Sequence, residues 1–159
     1  MICGERFLKV NGLQPGARAS VSRTVDTADL ASTIASEPAD TFPDVLATAR
    51  MVALMEIAAA RVMRPHLHAG EMTVGVTVEI THAAPTPPGA TVRAHARFVG
   101  REGKLYVFEV SAEDDGGEIG RGMHKRAAVQ VARLVARAED RVDRAADSGG
   151  RRYRRLGPM

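Results

Sequence analysis

Between Val45 and Leu67 the apolar residues recur at three- and four-residue intervals. Met51, Leu54, Met55, Ala58 and Val62 form one stripe, the spacing of a helix with a single buried face. Ala47, Ala53, Ala58, Ala59 and Ala60 keep that helix slender, so a sheet can approach it closely. Pro65 ends it, with Gly70 beyond. Elsewhere the period shortens to two. Ala17–Val25 alternates well enough for a strand. Thr73–Ala83 places Val74, Val76, Val78 and Ile80 on one face, predicted to look inward, with His82 as the next member. In Ala90–Val99 the residues Val92, Ala94, Ala96 and Phe98 oppose Thr91, Arg93, His95 and Arg97. Leu105–Glu113 and Ile119–Val135 complete the strands. Gly100–Gly103 and Asp114–Gly117 read as hairpin loops. Residues 1–16 look irregular, and Asp26–Asp44 is polar and turn-rich.

The element order is one strand, one long helix and four antiparallel strands, an α+β pattern without repeats. A sheet of this kind buries a lone helix by wrapping around it, which is the hotdog arrangement. A single curved sheet leaves edges unpaired, so a homodimer is expected. The expected organisation is an irregular segment over 1–16, a hotdog domain over 17–136 and a basic tail over 137–159.

Composition narrows the function classes. The net charge of +3 first suggests a polyanion partner. However, Arg133 to the end carries eight Arg against four acids, while the rest of the chain has 14 basic and 15 acidic residues. The surplus belongs to the tail, which is poor in apolar residues and expected to be disordered beyond about Ala146. This argues against a nucleic-acid-binding body. No apolar run is long enough to cross a bilayer, and the N-terminus lacks a signal-peptide core, so a cytoplasmic location is expected. Cys3 is the only cysteine, which leaves no internal disulfide. His66 and His68 resemble a metal pair without a third ligand nearby, so no metal site is expected. His95, between two arginines, reads as solvated.

Candidate chemistry lies on the helix and two strands. Thr48 falls at the predicted helix start, where a cap or first-turn role is compatible with helping an oxyanion. Glu56 lies between Met55 and Ile57, either solvated or buried with a partner, because a lone buried carboxylate is costly. It is two turns, about 12 Å, from Thr48 at ~1.5 Å per residue, so joint action must pass through a substrate or His82. His82 ends an apolar face and can exchange protons near neutral pH. Gly75 interrupts its strand as a bulge or a place of close approach. His124 and Arg126 share a face with Gly120 and Gly122, small residues that would leave room for a ligand. For His124 a surface strand end remains equally open. Arg126 offers a planar fork for phosphate or carboxylate.

Three stretches carry a resemblance: Ala47 to Glu56, Val74 to Gly89 and Glu118 to Ala127. Together they resemble the fluoroacetyl-CoA thioesterase family of hotdog proteins, over roughly Gly16 to Leu134. The resemblance implies an acyl-CoA thioesterase acting on a short acyl group, with no cofactor beyond the CoA of its substrate. It implies that Thr48, Glu56 and His82 are catalytic, that Gly75 lies beside the acyl group and that Arg126 is an active-site arginine. Phe42 falls in the segment before the helix, where the fluoroacetyl-specific enzyme carries a more aromatic lid, and Ala39 stands where a second aromatic is expected. A non-catalytic acyl-CoA binding protein and a hotdog enoyl-CoA hydratase are the alternatives.

Overall fold

A computed structural model describes residues 7–153, with side chains described through residue 146. Cys3, the first six residues of the N-terminal segment and residues 154–159 of the tail lie outside the described residues. Five antiparallel strands, β1 (Arg18–Thr24), β2 (Glu71–His82), β3 (Thr91–Glu102), β4 (Leu105–Asp114) and β5 (Gly117–Gln130), form one sheet in the order β1-β3-β4-β5-β2. Helix α1 (Thr48–Met63) packs into it against β1 to β4. This is the hotdog arrangement expected from the element order. Residues 7–16 carry no helix or strand, only an isolated bridge between Leu8 and Ala128.

The helical stripe is buried as its period predicts: Met51, Leu54, Met55, Ala58 and Val62 all lie in the core. So do Val92, Ala94, Ala96 and Phe98 of β3, while Arg93, His95 and Arg97 point outward. His95 is partly exposed and contacts Glu113 at 3.2 Å. Phe98 stacks obliquely on Tyr106 and Phe108, with ring centroids 6.0 and 5.5 Å apart.

Three expectations are corrected. The inward face of β2 is not one unbroken row, because a bulge between Gly75 and Thr77 inserts Val76. Gly75 pairs with Arg126, and beyond the bulge Val78, Ile80 and His82 pair with His124, Gly122 and Gly120. One extra residue moves every later side chain to the other face. Gly75 and His82 therefore look the same way, whereas Val74, opposite Ala127, looks the other way. Secondly, β5 ends at Gln130, and Val131–Tyr153 forms a second helix, α2. The strand expected through Val135 is thus shorter, the backbone expected to be disordered beyond Ala146 is helical to Tyr153, and the 136/137 boundary falls inside α2. Val131, Val135, Ala138 and Val142 sit at helical spacing, which favours a helix over an extended or unfolded chain. Finally, Gly120 and Gly122 do not leave space for a ligand. A side chain at Gly120 would meet Met51 Sδ at 2.7 Å, and one at Gly122 would meet Ile80 Cγ2 at 2.8 Å. Their small size admits the helix and the neighbouring strand.

The turn-rich segment before α1 contains two short 3-10 helices, Thr27–Asp29 and Ala31–Ile34. Asp26 caps the first by accepting the Ala28 N–H at 2.9 Å. The Asp29 side chain is only 1% exposed. It accepts from Arg23 Nε at 2.6 Å and from the Asp26 N–H at 3.1 Å, and Arg50 Nε stands 3.7 Å away. Burial pushes its carboxyl up, but these hydrogen bonds and the two arginines outweigh burial and hold it below the usual carboxylate range. The depressed folded-state value stabilises the protein in full above the unfolded carboxyl range, about pH 4, and the gain is lost as pH falls below it. Asp29→Asn is therefore expected to lower Tm at pH 7 and to flatten the fall in Tm between pH 5 and pH 3. Thermal melts of both proteins across that range check this. An equally steep acid limb in the variant would remove Asp29 as its source.

Candidate active site

The start of α1 is held from outside the helix. The Ala47 N–H donates to the Asp29 carbonyl at 2.9 Å, the Leu46 N–H to the Thr86 carbonyl at 2.8 Å, and the Ala31 N–H to the Val45 carbonyl at 2.8 Å. Ala47 occupies the cap position and no side chain caps the helix. Thr48 is the first helical residue, and its exposed hydroxyl does not cap. It shares a 2.9 Å hydrogen bond with His82 Nδ1 on β2. His82 Nε2 is buried and has no hydrogen-bond partner among the described residues.

Glu56 lies two turns along the same helix, about 12 Å up the axis at ~1.5 Å per residue. It does not pair with His82. Its Oε1 stands 3.6 Å from Arg126 NH1 and 3.7 Å from His124 Nε2, both on β5. The side chain is 39% exposed, so the carboxylate is neither fully solvated nor buried. Gly75 lies beneath it: a Cβ there would fall on Glu56 Oε1 and come within 3.1 Å of His124 Cε1. Gly75 thus has both of the properties open to it, a bulge and a close approach.

Arg126 is buried and almost fully engaged. Its Nε donates to Thr73 Oγ1 at 3.1 Å, NH2 to the Thr73 carbonyl at 2.9 Å and NH1 to His124 Nε2 at 3.0 Å. Burial lowers its pKa and the Glu56 charge opposes that shift. His124 is 1% exposed, not a surface strand end, and its Nδ1 donates to the Thr77 carbonyl at 2.8 Å. Burial pushes its pKa down; the Thr77 hydrogen bond opposes this, the Arg126 charge adds to it, and the Glu56 charge has the smallest effect, upward.

The structure therefore forms two groups, Thr48 with His82, and Glu56 with Gly75, His124 and Arg126. Between them on the same face of β2 lie Ile80 and Val78, the latter 43% exposed. Phe42 stands apart from the hydrogen-bonded groups, 47% exposed on the loop leading into α1. Thr73 and Thr77 were missed by sequence reasoning. Thr77 lies just beyond the bulge and Thr73 before it, and nothing in an alternating strand singles them out. Among the described residues no three His, Cys, Asp or Glu side chains converge as metal ligands.

The model of a family described as fluoroacetyl-CoA-specific thioesterase matches residues 25–132. The chain belongs to this family. A fluoroacetyl-CoA thioesterase from Streptantibioticus cattleyicolor is 42% identical over 100 residues, which span 63% of this chain and 72% of that protein. A solved variant of the fluoroacetyl-CoA thioesterase FlK in complex with fluoroacetate is 35% identical. It superposes with a TM-score of 0.76 over 80% of this chain and 98% of its own. A thioesterase superfamily member from Thermus thermophilus, 28% identical, gives a TM-score of 0.77 over 86% of this chain and 98% of its own. Within the thioesterase family, then, this chain offers a hydroxyl–imidazole pair and a carboxylate backed by a guanidinium, facing one short apolar floor.

Proposed function

We propose that the protein hydrolyses short acyl-CoA thioesters, fluoroacetyl-CoA and acetyl-CoA among them, to the free acid and CoA. The observation that carries this reading is the exposed Thr48 hydroxyl bonded at 2.9 Å to His82 Nδ1. In this reading the acyl group lies between that pair and Glu56, over Val78 and Ile80. The uncapped N-terminus of α1 directs backbone N–H groups and positive potential toward a developing oxyanion. His82 takes the proton from the attacking hydroxyl or water, and Glu56 faces the reacting centre from the other end. Arg126 balances the carboxylate with opposite charge and donates in a fixed plane. No cofactor is required, since CoA arrives with the substrate.

Incubating the protein with acyl-CoAs of increasing chain length while detecting free thiol tests the reading. Release is expected with two- and three-carbon acyl groups and should fall with length. Tight acyl-CoA binding without thiol would identify a sequestering protein, and conversion of an enoyl-CoA without thiol would identify a hydratase.

The active form in this reading is a homodimer. Strand β2 is a sheet edge with Met72 and Val78 exposed, and an open edge beside apolar side chains favours pairing with a second copy. Light scattering at micromolar concentration is expected to give at least twice the chain mass of 17.0 kDa. A fully active monomer would contradict the assembly.

A further inference from the structure

His124 is too deeply buried to serve as a ligand for substrate, yet both of its nitrogens are used. The Thr77 carbonyl can only accept, so Nδ1 carries the proton in the 2.8 Å bond. The Arg126 guanidinium can only donate, so Nε2 presents its lone pair in the 3.0 Å bond. These two partners leave one state of the ring: neutral, protonated on Nδ1. Phe108 and Val78 flank it in the ladder. The charged groups that face it are Arg126 on its own strand and Glu56 from α1.

We propose that His124 is a positioning residue that keeps Arg126 and Glu56 apart, so that the carboxylate stays free to act. This rests on the reading of Glu56 as a participant in thioester hydrolysis. The distances state the division. NH1 is 3.0 Å from His124 Nε2 but 3.6 Å from Glu56 Oε1, within hydrogen-bond length of one and outside it for the other. Thr73 holds the opposite edge of the guanidinium through Nε and NH2. His124 thus completes a three-sided frame, and the arginine supplies charge to Glu56 without closing on it. The bulge makes the frame possible, because Thr77, whose carbonyl orients the ring, is the first paired residue beyond it. Removing the imidazole lone pair leaves NH1 without its acceptor. The nearest alternative is Glu56 Oε1, and a direct ion pair there would take the carboxylate out of reach of the thioester.

Two substitutions separate this role from simple packing. Glutamine at 124 has an N–H for the Thr77 carbonyl and an oxygen for Arg126 NH1, whereas leucine has neither. His124→Leu is expected to lower kcat by on the order of 10- to 100-fold, the scale of misplacing a reacting group by about 1 Å, with a smaller change in KM. His124→Gln should restore kcat to within a few-fold. A glutamine variant as impaired as a folded leucine variant would overturn the proposal, as would a leucine variant with wild-type kcat. If the leucine variant does not fold, the glutamine variant and the ring itself still decide. Nitrogen-15 NMR of the substrate-free protein should show His124 neutral and Nδ1-protonated at pH 7–8. An Nε2-protonated or charged ring would overturn the proposal even if no acyl-CoA is hydrolysed, whereas absent hydrolysis with the expected tautomer would remove only the functional reading.

Discussion

His82→Ala and Glu56→Gln are each expected to lower kcat/KM for a short acyl-CoA by roughly 100-fold or more, the scale of losing a group that moves a proton or attacks the substrate. The two losses differ in kind. Alanine at 82 removes the acceptor 2.9 Å from the Thr48 hydroxyl, leaving that hydroxyl without its base. Glutamine at 56 keeps the shape but removes the charge that faces Arg126 at 3.6 Å. Neither change touches the apolar core, so both variants should keep a wild-type circular dichroism spectrum. Steady-state kinetics with thiol detection makes the comparison. Near-wild-type turnover in both folded variants would eliminate this pair as the proton-handling groups.

Gly75→Ala is expected to abolish most activity, roughly 100-fold in kcat/KM, at a modest cost in stability. Gly75 does not have a positive φ, so its backbone accepts alanine. Glycine in a strand interior is about 0.5–1 kcal/mol less favourable than alanine on entropic grounds. The new methyl would coincide with Glu56 Oε1, the far end of a half-exposed side chain that can swing aside, and would come within 3.1 Å of Cε1 of the buried His124 ring, which is held at both nitrogens and has to give by a few tenths of an ångström. Activity should therefore collapse while Tm falls only modestly, because moving Glu56 by about 1 Å misplaces a reacting group. Unchanged turnover would show that the carboxylate does not need its place above the glycine. A large loss of Tm would show instead that the site cannot yield.

Much of the fold is legible because the amphipathic periods are clean. Met51 to Val62 and Val92 to Phe98 keep one period each, and burial follows it. The β2 row fails for a local reason. Val74, Val76 and Val78 look like one face, but Val76 is the extra residue of a bulge, and only Gly75 hints at it. The site is legible in part. The hydroxyl, imidazole and carboxylate stand out as polar groups on apolar elements. Their pairing does not, because Glu56 meets His124 and Arg126 across 68 and 70 positions of sequence, and no local pattern encodes that contact. The glycines of β5 mislead, since a small residue can admit a ligand or a neighbouring side chain, and here Met51 and Ile80 fill the space. The start of α2 misleads through composition: its many arginines suggest an extended, solvated chain although its apolar residues recur with helical spacing.

The anchoring of Val45 to Ala47 bears on motion. Helix ends ordinarily fray, opening on a faster timescale and at lower cost than the middle. In α1 the first residue, Thr48, follows three residues each tied by a backbone bond to Asp29, Ala31 or Thr86. The end that should unravel most readily is stitched to the rest of the molecule. Opening of this helix should instead begin at its other terminus, near Arg64–His66, where the α-helical bonding already gives way to a short 3-10 turn. The amides of residues 46 and 47 should then exchange with solvent more slowly than those around residue 64. The hydroxyl at the cleft is thereby held still by backbone bonds to Asp29, Ala31 and Thr86.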